Sequence, residues 1–250
     1  MPFPFQAVRR TTLFALTLAI AGVGAAHAEQ RVIRIVVPYG TGAVQDTIAR
    51  AIGDELGQAL NASIVVENRA GAGGTVGTSQ VARATPDGST LVLAAASHNI
   101  AGYLYKNLSY DPYKDFTGVA YLGNTGYIIL ASAGLQVKNT AEFIQAVKAK
   151  PGAYDYASAG NGSASHLGMA SFLTAAGVQM QHIPMKSTGD AVTELLAGRV
   201  QAVTAATIGV TAYRNDPRVT FLAYTGKTRS RFAPDLSLIH ISEPTRPERI

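Results

Sequence analysis

The sequence has no cysteine and no tryptophan, and only 15% of its 250 residues are charged. The absence of cysteine excludes a disulfide-stapled fold. Beyond the N-terminus, no segment approaches the ~20 consecutive apolar residues that a membrane-spanning helix needs. The remaining composition, with 47% hydrophobic residues, is typical of a globular chain with ample material for a core.

Signals for nucleic-acid and metal binding are also absent. The net charge is +5, but the basic residues are scattered singly and are not interleaved with aromatic residues, which argues against nucleic-acid binding. The histidines show no paired ligand spacing, so we expect no metal site and no cofactor. They are His27, His98, His166, His182 and His240.

The N-terminus has the three parts of a secretory signal peptide. Arg9 and Arg10 form the basic region, residues 11–21 form a short apolar region, and Ala26-His27-Ala28 is a small-x-small cleavage site. We predict residues 1–28 as the signal peptide, cleaved after Ala28, with the general export route favoured over the twin-arginine route. No cysteine follows the cleavage site, so no lipid anchor is expected there, and the mature chain should be soluble outside the cytoplasm.

After the signal, short β-branched runs alternate with segments of helical periodicity. This alternation predicts an α/β fold with parallel sheets. We expect strands at 32–37, 64–66, 90–95, 127–131, 154–157, 182–185, 202–205 and 219–224. We expect helices at 46–60, 78–84, 140–150, 165–176 and 190–197. The Tyr-, Pro- and Gly-rich stretch 108–126 is typical of a connector, with a hinge near residues 124–126.

Three loops share one construction: a strand end, small residues and a helix start. They are "PYGTGAVQD" (38–46), "SAGNGSASH" (158–166) and "PMKSTGD" (184–190). Each delivers a helix N-terminus with free amides and the positive end of the helix dipole, which favours an anion and most naturally a carboxylate. Ser187 and Asp190 have the spacing of a capping box, and Asp46 can also cap its own helix.

Catalytic and nucleotide-binding interpretations fit these residues less well. A secreted serine hydrolase using Ser163 or Ser165 with His166 is the competing hypothesis, but no G-x-S-x-G elbow is present, and adjacent residues on a helix point apart. The run Gly71–Gly77 lacks the spacing of a dinucleotide fingerprint, so packing at an edge of the fold is its expected role.

Five stretches resemble a known family in order and spacing. They are "RIVVPYGTGAVQDTIAR", "VVENRAGAGGTVGTSQVARATPDGSTL", "LYKNLSYDPYKDF", "YASAGNGSASHLG" and "HIPMKSTGDAVTELLAGRV". Together they resemble the substrate-binding receptors of tripartite tricarboxylate transporters, the Bug family, over residues 31–235. The resemblance implies a two-lobed periplasmic binding protein fold, type II-like, whose lobes close by a hinge on a small carboxylate. Expected boundaries are 29–125 for lobe 1 and 126–235 for lobe 2.

The resemblance also implies a periplasmic receptor without enzymatic activity, a monomer that presents its ligand to membrane permease subunits. A ligand-sensing receptor of the same fold stays open as an alternative. The implied ligand-binding residues lie in the three loops and after the third strand. They are Tyr39, Gly40, Thr41, Gly42, Ala43, Asp46, Ser97, His98, Asn161, Ser163, Ser165, His166, Lys186 and Ser187.

The sequence departs from the family pattern in three places. Ala43 stands where the family usually has a second glycine, and the run 203–206 lacks the aspartate that can meet a ligand amine. From residue 236 the tail, "LSLIHISEPTRPERI", loses the strand–helix character. A frayed native end is one interpretation, and a foreign or frame-altered end is the one we favour. In the family a segment after this point returns to lobe 1.

Overall fold

A computed structural model describes residues 31–226 and 228–238. The predicted signal peptide lies outside the described residues, and so does the tail from residue 239 onwards. Within the described part, no helix is both long enough and apolar enough to cross a membrane. No group of histidine and acidic side chains there could hold a metal ion.

Strands and helices alternate along most of the described chain. The strands are β1 (Arg31–Val37), β2 (Ala62–Asn68), β3 (Thr90–Val92), β4 (Tyr127–Ser132), β5 (Asp155–Ser158), β6 (Gln181–Pro184), β7 (Ala202–Ala206), β8 (Val219–Tyr224) and β9 (Ser237–Leu238). The helices are α1 (Val44–Leu60), α2 (Thr75–Ala82), α3 (Ala96–Leu104), α4 (Thr140–Ala149), α5 (Ala164–Ala176), α6 (Thr188–Leu196) and α7 (Thr207–Val210). Single 3₁₀ turns occur at Ala72–Gly74, Ala133–Leu135 and Thr211–Tyr213.

The first half of the fold comprises β1–β3 and α1–α3. Its sheet has the order β2-β1-β3, and β1 runs parallel to β3. Ile35 and Val37 on β1 pack against Ala49 on α1. The same cluster includes Tyr39 and Ala159, and Ala159 comes from the loop that follows β5. The core of the first half therefore reaches residues that are distant in sequence.

The second half comprises β4–β9 and α4–α7, around a sheet of order β6-β5-β7-β4-β8-β9. Strand side chains alternate between faces, and here both faces are covered by helices. Ile128 and Leu130 belong to the cluster with Leu195 of α6, whereas Ile129 belongs to the cluster with Phe143 of α4. This two-sided burial explains why β4 is a continuous apolar run rather than an alternating one.

The structure confirms the α/β class but differs from the sequence prediction in three respects. The second sheet is mixed, because β4 runs antiparallel to β7 and β8. β4 follows the connector from the first half, not a strand–helix crossover, so no parallel arrangement is imposed on it.

Helix α3 is a second difference, because the sequence pattern does not predict it. Its N-cap residue, Ala95, has no side chain that could form a capping hydrogen bond and so mark the start of the helix. β9 falls at the start of the predicted tail and pairs parallel with β8.

The predicted connector and the predicted Ser187 cap both have counterparts in the structure. Residues 105–126, which include the predicted connector, contain no helix or strand. Ser187 caps α6 by accepting the amide of Asp190 at 3.1 Å, as the spacing of the two residues indicates. Both sheets belong to one compact unit that begins at Val32, and the division into lobes at residues 125 and 126 stays a prediction.

Candidate functional site

The first loop connects β1 to α1 and begins with a buried tyrosine. The Tyr39 hydroxyl lies 2.5 Å from the Ser97 hydroxyl and donates to the carbonyl oxygen of Gly73 at 3.2 Å. Burial raises the pKa of Tyr39 to about 12, so the ring stays neutral and acts through hydrogen bonds. Tyr39 and Ser97, both predicted as ligand-binding, are thus brought into contact with each other and with the glycine-rich turn at 72–74.

Asp46 lies in the first turn of α1, where its carboxylate accepts the amide of Gly42 at 3.0 Å. The other oxygen accepts from the Arg50 guanidinium, also at 3.0 Å. Burial would raise the pKa of Asp46, but the Gly42 amide and the Arg50 guanidinium outweigh it and hold the pKa below its usual value. The carboxylate therefore anchors the first loop to α1, but it does not cap the helix, because Gly42 precedes the N-cap residue Ala43, which has no side-chain cap. Thr41 and Gly42 remain exposed and Ala43 is buried.

The second loop connects β5 to α5, and its buried serines are hydrogen-bonded within the loop. The Ser163 hydroxyl is the N-cap of α5, accepting the amide of His166 at 3.2 Å. It also lies 3.0 Å from the Ser165 hydroxyl, which accepts the amide of Ala159 at 2.9 Å. These bonds fix the start of α5 and orient its first-turn amides, which are the groups that an anion would meet.

The imidazole of His166 is neutral in this arrangement. Its Nδ1 accepts the amide of Gly162 at 3.1 Å, which requires an unprotonated nitrogen at that position. Burial lowers the pKa of His166. The predicted residue therefore stabilises its own loop and carries no positive charge at neutral pH.

The third loop, between β6 and α6, touches the first loop directly. The amide of Gly40 donates to the carbonyl oxygen of Lys186 at 3.1 Å. A Cβ atom on Gly40 would lie 3.1 Å from Cβ of Ser187, so position 40 has little room for a side chain. The Lys186 side chain is exposed and forms no ion pair with any described residue.

Contacts between the two halves continue at the glycine-rich turn. The Tyr105 hydroxyl lies 2.9 Å from the carbonyl oxygens of Ala72 and Asn161, so it bridges the first half and the second loop. Gly73 has φ +63° and lies directly against the Asn161 carbonyl. Neither Tyr105 nor Gly73 is among the residues predicted from the sequence. The glycine-rich run was visible, but its packing role was assigned to an edge of the fold, whereas the structure places it between the halves.

His98 is bonded to the connector. Its Nε2 donates to the carbonyl oxygen of Pro112 at 2.8 Å, and its ring packs edge-on against Phe116 at 4.8 Å. Among the described residues its Nδ1 is buried without a hydrogen-bond partner. The imidazole thus ties α3 to the connector, and a ligand role for it remains a prediction.

The described residues contain one serine–imidazole hydrogen bond, and it is not the predicted pair. Ser158 Oγ lies 2.6 Å from Nε2 of His182, but Ser158 is fully buried at the end of β5. No carboxylate orients the His182 ring within the described part of the chain, so the third member of a catalytic triad is missing there. Ser163 and Ser165 bond to backbone amides and to each other.

The chain is similar in sequence and fold to known proteins. Residues 48–243 match the family described as "Tripartite tricarboxylate transporter family receptor". A UPF0065 protein of Bordetella pertussis is 33% identical over 200 residues, covering 79% of this chain. The chain spans 61% of the length of that relative.

Two solved structures have the same fold. The periplasmic binding protein BugD is 35% identical with a TM-score of 0.81, over 85% of this chain and 71% of BugD. MatC from Rhodopseudomonas palustris, solved with bound malate, is 31% identical with a TM-score of 0.80, over 84% of this chain and 72% of MatC. Fold, family match and identity point the same way: the chain belongs to the receptor family of the tripartite tricarboxylate transporters, the Bug family of periplasmic solute-binding proteins.

Proposed function

We propose that the chain captures a small carboxylate between its two halves and presents it to a tripartite tricarboxylate-type permease. The three loops are the proposed binding surface. They hold twelve of the fourteen candidate residues predicted from the sequence, and the other two, Ser97 and His98, lie on α3. No bond of the ligand is made or broken. Binding operates by hinge closure, in which the ligand stabilises the closed arrangement of residues 29–125 against residues 126–235.

The observation that carries this proposal is the meeting of three βα loops from two separate sheets. The Gly40 amide reaches the Lys186 carbonyl, and the Tyr105 hydroxyl reaches the Asn161 carbonyl. A ligand at this meeting point would contact both halves at once. Its binding free energy would therefore favour closure.

A carboxylate is the favoured ligand class because the loops present backbone amides and a lysine. The loops precede α1, α5 and α6, so three helix N-termini contribute amides and dipoles suited to an anion. The one carboxylate among the candidates, Asp46, is neutralised by Arg50. Lys186 remains as an exposed cation that could meet a second carboxylate group. The relative MatC was solved with malate, which is a dicarboxylate.

Export to the periplasm belongs to the same proposal. The predicted signal peptide, residues 1–28, would direct the chain across the inner membrane. Mass determination of the exported protein would test cleavage after Ala28. Uptake of labelled malate by reconstituted permease, with and without the chain, would test the transport partnership.

A calorimetric titration of the full chain with malate, succinate, adipate and citrate tests the binding claim. We expect at least one to bind, and we expect the dimethyl ester of malate, which lacks the charge, not to bind.

Lys186→Gln should weaken dicarboxylate binding. Lys148→Gln is the control and should not weaken it, because Lys148 lies on α4, remote from the loops. Failure of every carboxylate to bind would refute the proposal. So would turnover of an ester substrate that Ser163→Ala abolishes.

A further inference from the structure

Three rings are stacked beneath the second loop. The His166 and His182 rings lie 4.1 Å apart between centroids with 18° between planes, and the Tyr156 ring lies 4.9 Å from His182 and 6.4 Å from His166. Tyr156 and His182 are register partners on the parallel strands β5 and β6, so they share one face of the sheet. α5 covers that face and supplies His166. We call these three rings the imidazole stack.

Each imidazole in the stack is tied to a glycine of the loop above it. His166 Nδ1 accepts the amide of Gly162 at 3.1 Å. His182 Nε2 lies 2.6 Å from the Ser158 hydroxyl, which accepts the amide of Gly160 at 3.1 Å. The stack thus holds the loop at both glycines that flank Asn161.

The segment held in this way is the part of the second loop that touches the first half. The Asn161 carbonyl accepts the Tyr105 hydroxyl at 2.9 Å. A Cβ atom on Gly160 would lie 3.3 Å from the amide nitrogen of Gly73, and one on Gly162 would lie 2.7 Å from Leu104. A change in the stack therefore acts on the contact between the halves.

Protonation of the stack would oppose this arrangement. An imidazolium ring carries hydrogen on both nitrogens, so a protonated His166 would point an N–H at the Gly162 amide. Two imidazolium rings at 4.1 Å would also repel each other. Burial lowers the pKa of both rings. Repulsion from His166 in its protonated form lowers the pKa of His182 further, to about 4.

The groups facing the two imidazoles offer no compensating charge. From β5 the facing group is Tyr156, whose pKa is raised by burial. β7, which also packs on α5, carries no titratable residue, and β4 carries only Tyr127. The α4 side chains in the same cluster are Phe143 and Val147. In the described part of the chain, no acidic or basic side chain forms an ion pair or hydrogen bond with either ring.

We infer that His182 is a positioning residue, which acts through Ser158 and His166 on the loop, and that the neutral imidazole pair makes closure pH-dependent. Its consequence for ligand binding rests on the proposed carboxylate-binding function. When the halves separate and the loop is freed, the rings become more exposed, and their pKa moves toward the ordinary 6.5. Protons then bind preferentially to the open form, so closure is strongest above about pH 6.5 and weakens as the pH falls below it.

The first test needs no ligand. The ring nitrogens of His166 in the full chain are followed by NMR as a function of pH, in the native protein and in His182→Phe and His182→Gln. We expect the Nε2–H tautomer of His166, whose pKa rises toward 6.5 in His182→Gln because the lost ring no longer shields it from water. We also expect the protection factor of the Gly162 amide, corrected for the intrinsic exchange rate at each pH, to fall as the pH falls. A His166 that carries hydrogen on Nδ1 at neutral pH, or a Gly162 protection factor that does not change with pH, would overturn the inference.

The second test is calorimetric titration with malate at about pH 7.5 and about pH 5. Protonation of malate itself is common to all variants and cancels in the comparison. The native protein should lose about tenfold more affinity on acidification than His182→Phe, which keeps a stacked ring but not the titrating nitrogen. A purely structural role would lower affinity equally at both pH values, and equal losses would overturn the inference. Absence of malate binding alongside a positive NMR result would count against the proposed ligand instead, and would support the pH-dependent loop contact.

Discussion

Gly73 lies so close to Asn161 that a Cβ atom at position 73 would sit 1.9 Å from the Asn161 carbonyl oxygen. The two residues are on opposite halves of the fold, one in the turn after β2 and the other in the loop after β5. Only a residue without a side chain permits this approach. The glycine-rich run therefore belongs to the contact between the halves.

Replacement of Gly73 by alanine should weaken closure. The added methyl would clash with backbone, which cannot move aside as a flexible side chain can, so the halves would be held apart. We expect malate affinity to fall at least about tenfold, equivalent to about 1.4 kcal/mol. Calorimetry measures the affinity, and small-angle scattering measures the wider arrangement of the halves.

Gly177→Ala is the matched control for Gly73→Ala. Gly177 has φ +65°, close to the +63° of Gly73, but a Cβ atom there would meet nothing within 4 Å. Both variants carry the same backbone strain, and only one of them obstructs the contact. Equal effects of the two substitutions on ligand affinity would show that strain, not closure, is responsible.

The Tyr105 hydroxyl should contribute to closure but little to folding. Its one proton can be donated to Ala72 or to Asn161, so opening leaves the hydroxyl with a partner in the first half. Tyr105→Phe should cost about 1 kcal/mol of ligand affinity. Tyr113→Phe removes a hydroxyl bonded to Asn99, within the first half, and should leave affinity unchanged. Calorimetry measures the ligand affinity of both variants. An affinity of Tyr105→Phe equal to that of the native protein would contradict the bridging role.

Asp46 should stabilise the fold in a pH-dependent manner. Its pKa is lowered in the folded chain, so its contribution is present above the ordinary aspartate pKa of about 3.9 and is lost as the pH falls below that value. Asp46→Asn should cost about 1–2 kcal/mol in the free energy of unfolding at neutral pH. The difference from the native protein should shrink at about pH 3.

Urea unfolding at both pH values measures this effect. Asp54→Asn is the control, because Asp54 lies on the same helix, is exposed and forms no ion pair with any described residue. A destabilisation by Asp46→Asn that is no larger than that of Asp54→Asn would exclude the anchoring role of Asp46.

Much of the fold follows from local sequence patterns. Apolar runs such as β4 and the periodic helix α1 are visible because burial on two faces, or on one helical stripe, leaves a repeating pattern. Helix α3 was not visible, because it begins at Ala95 without a capping side chain. The direction of β4 could not be inferred either, since strand polarity depends on where the chain enters the sheet.

The candidate site shows the same division. Loops with a capping serine, such as those at Ser163 and Ser187, could be recognised from residue type and spacing. The pairing of His182 with Ser158 and the bridging by Tyr105 could not, because these contacts join segments 24 and 56 residues apart. His182 is a strand residue among apolar neighbours, and only the register of β5 and β6 places it beneath the loop.

A small carboxylate should bind where the three loops meet, and amide chemical-shift mapping locates the bound ligand. The full chain is titrated with malate, or with whichever carboxylate binds in calorimetry. We expect the largest shifts on the first-turn amides of α1, α5 and α6 and on Gly40, together with protection of the Gly73 amide. Saturable shifts confined to another surface, with these amides unmoved, would contradict it.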